Sequence, residues 1–119
     1  MNEAAQAAFQ AMRANARVAL EYAGAHPDWR RDRLVVDAIA KRVEEVAEAA
    51  KTRFPRALRG DHPEIAWDEI AGMRDRLAHD YGNVDLEILG EVVTTYLPRL
   101  VRAIDRILGD HVRPRRRAP

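Results

Sequence analysis

Five residues in the segment WDEIAGMRDRLAHDYG carry most of the chain's reactive chemistry: Arg74, Asp75, Arg76, His79 and Tyr81. An arginine can hold a phosphate by two parallel hydrogen bonds and stabilise charge that develops on it. A histidine can give or take a proton near neutral pH. On a wheel of about 100° per residue, Trp67, Ile70, Ala71, Leu77, Ala78 and Tyr81 share one broad face, and Arg74 falls in the middle of it. A buried, unpaired charge is costly, so Arg74 either meets a carboxylate inside the fold or faces a cleft or interface. His79 lies five positions on, roughly 140° round an unbroken helix. Asp75 precedes His79 by four and shares its face, where a carboxylate would fix the imidazole tautomer and raise its pKa. Arg76 lies close to that pair. Bringing Arg74 and His79 to one atom then needs either a helix that unwinds near Gly82 or two chains whose segments converge. A symmetric dimer is the commoner arrangement. The bland alternatives are a histidine partnering a helix C-terminus and an arginine anchoring a salt bridge.

The elements that position this segment read as helices. A first helix is predicted from about Glu3 to Ala23, with Phe9, Met12, Ala16, Ala19 and Ala23 at helical spacing, stopped by Gly24 and His26-Pro27. A second, capped by Asp28, starts at Trp29 or Arg31 and runs to Thr52. Its stripe is Val35, Ile39, Val43, Val46 and Ala50, widened by Leu34 and Ala38, with Asp37, Lys41, Glu44 and Glu48 opposite. Phe54-Pro55 ends it, and Gly60 to Pro63 marks a loop. The third helix is expected to start between Glu64 and Trp67 and to end at Gly82. The fourth, capped by Asp85, runs to about Leu108 with Pro98 bending it. No period-2 pattern is present. The expected fold is an all-α, four-to-five-helix antiparallel bundle, with residues 1–109 as one domain.

The chain has 119 residues, no cysteine and formal net charge +1. Cystine frameworks and thiolate metal sites are therefore excluded. The scattered histidines form no H-x-x-x-H or E-x-x-H pair, so no metal or cofactor is expected. No apolar run would span a bilayer, and the first residues do not read as a signal peptide, so a cytoplasmic setting is expected. Residues 110–119 hold four Arg and one Asp, a balance of +3, which leaves −2 for residues 1–109. The tail is expected to be disordered, and its Arg113, Arg115, Arg116 and Arg117, like Arg76, are candidate RNA-phosphate contacts. Nearly all positive charge is Arg, the lysines being Lys41 and Lys51.

The string Arg74-Asp75-Arg76-Leu77-Ala78-His79-Asp80-Tyr81 resembles the R-x-x-x-x-H-x-Y motif of HEPN proteins, in particular the HepT-like branch. Pro63 to Trp67 and Ile70 to Met73 before the motif, Val84 to Leu89 and Tyr96 to Leu100 after it, and Val46 to Ala50 on the second helix are similar to the family's flanking segments. The resemblance covers about residues 28–108. Gly90 departs from it by standing where relatives often carry a large aromatic residue, and Ala47 replaces a common glycine. Gly90 is expected to loosen the fourth helix, by about 1 kcal/mol relative to Ala.

The resemblance implies a metal-independent endoribonuclease toxin working as a homodimer with a composite cleft. His79 would act as general acid or base at the ribose 2′-hydroxyl or the leaving oxygen. Arg74 would hold the scissile phosphate, and Asp75 would support the pair. Products would carry 2′,3′-cyclic phosphate and 5′-hydroxyl ends. The family also implies an antitoxin that is a small nucleotidyltransferase of the MNT type, which silences the toxin by adenylylating the tyrosine matched here by Tyr81. The alternatives are a non-catalytic partner or regulator of a nucleotidyltransferase, and a HEPN dimer that only binds nucleotide or RNA.

Overall fold

The computed structural model describes residues 1–78 and 82–109. Among them the architecture is an all-α bundle, as the periodicity predicts.

Helix α1 (Glu3–Ala25) starts where the Asn2 side chain accepts from the Ala5 N–H at 2.8 Å. It continues past Gly24 and buries Phe9, Met12, Ala16 and Ala19. A 3₁₀ turn, Trp29–Arg31, separates it from α2 (Arg33–Thr52). Two expectations change here. Asp28 makes no side-chain cap bond; Asp32 is the cap, accepting from the Leu34 and Val35 N–H groups at 3.1 and 3.4 Å. Leu34, which follows that cap closely, is 79 % exposed and does not widen the apolar stripe. The stripe itself, Val35, Ile39, Val43, Val46 and Ala50, is buried.

The segment after Phe54 is not all loop. It contains a short helix, α3 (Arg56–Asp61), whose residues bury nothing fully, so no apolar stripe announces it. Beyond it an aromatic cluster ties three parts of the chain together. Phe54 lies 4.8 Å from both Phe9 and Trp67, centroid to centroid, and His62 meets Phe9 edge-on at 5.4 Å. The Trp67 indole N–H donates to the His62 carbonyl at 3.0 Å, which satisfies its one polar atom inside the core.

The expected third helix is two pieces, α4 (Trp67–Ala71) and α5 (Met73–Leu77), divided at Gly72. Ile70, Met73 and Leu77 face the core. Arg74 is therefore not at the centre of the buried face but exposed beside it. Burying the Met73 thioether has no charge penalty, whereas burying Arg74 would. No charged or polar residue is buried among the described residues.

The last helical stretch begins at Asp85, whose carboxylate accepts from the Glu87 and Ile88 N–H groups at 3.0 and 3.1 Å, as expected of a cap. It runs as α6 (Leu86–Glu91), a π-helical turn (Val92–Tyr96) and α7 (Leu97–Leu108), ending at Gly109 with φ +80°. The irregularity attributed to Pro98 lies just ahead of it. Pro98 has no N–H for the Thr94 carbonyl and its ring would press on that group, and the wider turn relieves both. Helix α1 packs on α2 and on α7. Asp105 of α7 accepts from Arg13 at 2.8 Å and from Arg17 at 3.0 Å, across the α1–α7 packing.

Candidate active site

Helix α5 ends early. Ala78 is extended (φ −65°, ψ 132°), so the helical relation assumed between Arg74, Asp75 and His79 is broken before His79 is reached. The expected unwinding point, Gly82, lies four residues too late. The chain leaves at Ala78 and is back at Val84, where the two pair as an antiparallel bridge. The Asp85 N–H donates to the Leu77 carbonyl at 2.8 Å and closes the excursion. Gly82 adopts φ +84°, a backbone conformation that glycine takes without steric penalty. His79 and Tyr81 lie outside the described residues, as do Arg113, Arg115, Arg116 and Arg117.

Arg74 and Asp75 line one polar depression of about 260 Å³, together with Ala71 and with Ala47, Glu48 and Lys51 of α2. Arg74 is exposed and has no ion-pair partner among the described residues. Lys51 adds a second cation and Glu48 and Asp75 two carboxylates, which leaves the depression close to neutral and its cations flanked by acids. Neither Glu48 nor Lys51 stands out in the sequence, where Glu48 reads simply as the polar side of α2. The available signal is Ala47, a small residue one position before Glu48 that lets α5 come close. Arg76 does not join this group. Its Nη2 is 3.6 Å from Glu91 Oε1 on α6, so the structure ties it to the fold beside the site. The expected Asp75–Arg76 face is thus split.

Among the described residues, no group of three or more His, Asp or Glu side chains is placed to hold a metal ion. No helix among them is long and apolar enough to cross a membrane.

The family model for HepT-like ribonucleases matches residues 12–107, nearly the whole described chain. The protein belongs to the HepT-like ribonuclease family. That membership places it among ribonucleases, with RNA as the family's substrate class. A provisionally named RNase of Caldanaerobacter subterraneus subsp. tengcongensis is 35% identical over 81 residues, covering 68% of this chain and 71% of the relative. A provisionally named RNase of Methanocaldococcus jannaschii is 33% identical over 73 residues, covering 61% and 60%. A provisionally named ribonuclease HepT of Thermococcus cleftensis is 36% identical over 70 residues, covering 59% and 63%. In the last two the matched stretch is less than two thirds of the relative's own length. No solved structure matches the chain significantly.

Proposed function

We propose that the protein is a metal-independent endoribonuclease toxin in which Arg74 holds the scissile phosphate and His79 transfers the proton. The observation that carries this reading is Arg74 itself. It stands exposed in a polar depression, without an ion pair among the described residues, four positions before the chain leaves its helix at Ala78. Arg13 and Arg76, by contrast, are each paired with a carboxylate of the fold. In the proposed reaction His79 removes the proton of the ribose 2′-hydroxyl, or protonates the leaving 5′-oxygen if the partner subunit's copy serves as base. The 2′-oxygen attacks phosphorus, the bond to the 5′-oxygen breaks, and the products are a 2′,3′-cyclic phosphate and a 5′-hydroxyl. Arg74 offsets the charge that builds on the phosphoryl oxygens. Asp75, in the same depression, orients the basic groups around it.

The active unit in this reading is a two-fold homodimer whose two Arg74/His79 sets face one cleft, built from residues 1–109, with the basic segment 110–119 outside it. The partner is a nucleotidyltransferase antitoxin. AMP placed on Tyr81 adds an anion and bulk next to the phosphate site and competes with RNA there. The early end of α5, with Ala78 extended, supports a site that does not depend on the helical spacing of Arg74 and His79.

The test is RNA cleavage by purified protein in EDTA, wild type against His79→Ala, with the product ends mapped. Cleavage by the wild type alone, leaving cyclic-phosphate ends, supports the mechanism. Absence of cleavage by protein that is dimeric and carries no AMP favours the non-catalytic partner instead.

A further inference from the structure

A second groove, of about 370 Å³, opens at the other end of α2. It is lined by Arg30 and Arg31 of the 3₁₀ turn, Arg33 and Val36 of α2, Asn83 and Val84 where the motif loop returns, and Leu86 of α6. Among the described residues no carboxylate lines it, unlike the depression at Arg74. Arg33 is tied to Asp37 at 3.1 Å, but Arg30 and Arg31 have no ion-pair partner among the described residues. Arg30 is also fixed in place. Its guanidinium lies 4.4 Å from the centroid of the buried Trp29 ring. It also lies against Gly90, where a Cβ would stand 2.5 Å from the Arg30 Nη2 atom. The space left by the departure at Gly90 is taken by this arginine. Contact with an indole and with a bare helix backbone limits the rotamers open to the guanidinium before any ligand arrives.

We infer that this groove is a second phosphate subsite, which grips the RNA backbone a few nucleotides away from the bond presented to Arg74; the inference rests on the ribonuclease reading above. The placement favours one continuous strand. Ala71 and Arg74 lie beside Ala47 and Lys51, and Val84 and Leu86 lie beside Val36. The eleven positions from Val36 to Ala47 amount to about 17 Å of helix axis. The two cationic sites thus lie along one face of α2, with Arg74 at one and the Asn83–Val84 return at the other. Arg30 and Arg31 take phosphate oxygens, Asn83 offers an amide that can donate or accept, and Val36, Val84 and Leu86 form an apolar wall for a ribose or base.

The test uses the full chain and a short RNA oligonucleotide with 2′-O-methyl riboses, which binds but cannot be cleaved. Its Kd is measured by fluorescence anisotropy over a range of salt for wild type, Arg30→Ala/Arg31→Ala and Arg30→Lys/Arg31→Lys. The alanine pair is expected to bind at least about tenfold more weakly, with a salt slope lower by about 1.4, or about 0.7 for each single-strand phosphate that is no longer neutralised. The lysine pair keeps the slope and loses part of the affinity. An unchanged Kd and slope in the alanine pair overturns the subsite, as does a wild type that binds no RNA. Unchanged RNA binding with an altered oligomeric state in light scattering also overturns it and assigns the groove to protein docking. Cleavage of unmodified RNA is scored separately. A wild type that binds through Arg30 and Arg31 but cleaves nothing sinks the ribonuclease reading and leaves the subsite standing. One that cleaves while the alanine pair binds normally does the reverse.

Discussion

The Asp85 main-chain N–H donates to the Leu77 carbonyl at 2.8 Å, so the residue that caps α6 also closes the motif loop. Its side chain does the capping and its backbone does the closing. Asp85→Ala removes the first and spares the second. The expected loss is about 1 kcal/mol in urea unfolding, with Asp85→Asn restoring most of it, because either side chain can accept from the first-turn N–H groups.

Gly82 and Gly24 should respond to alanine in opposite senses. Gly82 has φ +84° and open space around its Cβ position, so the penalty is purely conformational. Gly82→Ala is expected to destabilise by about 1–2 kcal/mol. Gly24 lies inside α1 with nothing within 4 Å of an added Cβ. Gly24→Ala should stabilise by up to about 1 kcal/mol. Paired urea titrations read both, and equal signs would contradict the loop geometry.

Asp105 accepts from two arginines while only 20 % exposed, and Arg13 is 11 % exposed. Asp105→Ala leaves those cations without this acceptor in a half-buried place. A loss of roughly 1–2 kcal/mol is expected, below the value for a fully buried pair because water still reaches Arg17, which is 49 % exposed. The thermal midpoint reads this, and high salt should narrow the gap between variant and wild type.

Arg74→Ala should separate stability from function. The side chain is exposed and makes no ion pair among the described residues, so the unfolding free energy should stay within about 0.5 kcal/mol of wild type. RNA cleavage should fall by about 10²–10³, the usual loss when one donor to a transition-state oxyanion is removed. A variant that melts early instead would return Arg74 to a structural role.

The long helices are legible in the sequence because each signals itself several times. Helix α2 shows five apolar residues in phase, and Asp85 stands directly ahead of an apolar run. Sequence and structure part where two signals compete or none exists. Asp28 and Asp32 are both plausible caps, and the intervening 3₁₀ turn, which buries Trp29, decides for the later one. Helix α3 has no fully buried residue to mark it. The motif segment misleads because a wheel presumes one unbroken helix. Gly72 divides it, Met73 takes the core position, and the main chain turns extended at Ala78, which bridges to Val84 beside the Asp85 N–H bond to the Leu77 carbonyl, a pairing that no local pattern encodes. The motif string names its candidate residues by type and spacing alone. The cationic groove at Arg30 and Arg31 needs the fold, since Arg30 and the Gly90 that receives it are far apart in the chain.

The ion pairs between Asp105 and the arginines of α1 join residues 92 and 88 positions apart. A folding chain can lay α1 against α2 across a short connection, but α7 must return over almost the whole length to reach α1. Loop-closure entropy rises with that separation, so this docking is the slow, late-rewarded step of assembly. Until it occurs, the α1 surface that will meet α7 stays open to water. The seam between α1 and α7 is therefore a part of the fold whose closing depends on pairing residues far apart in the sequence.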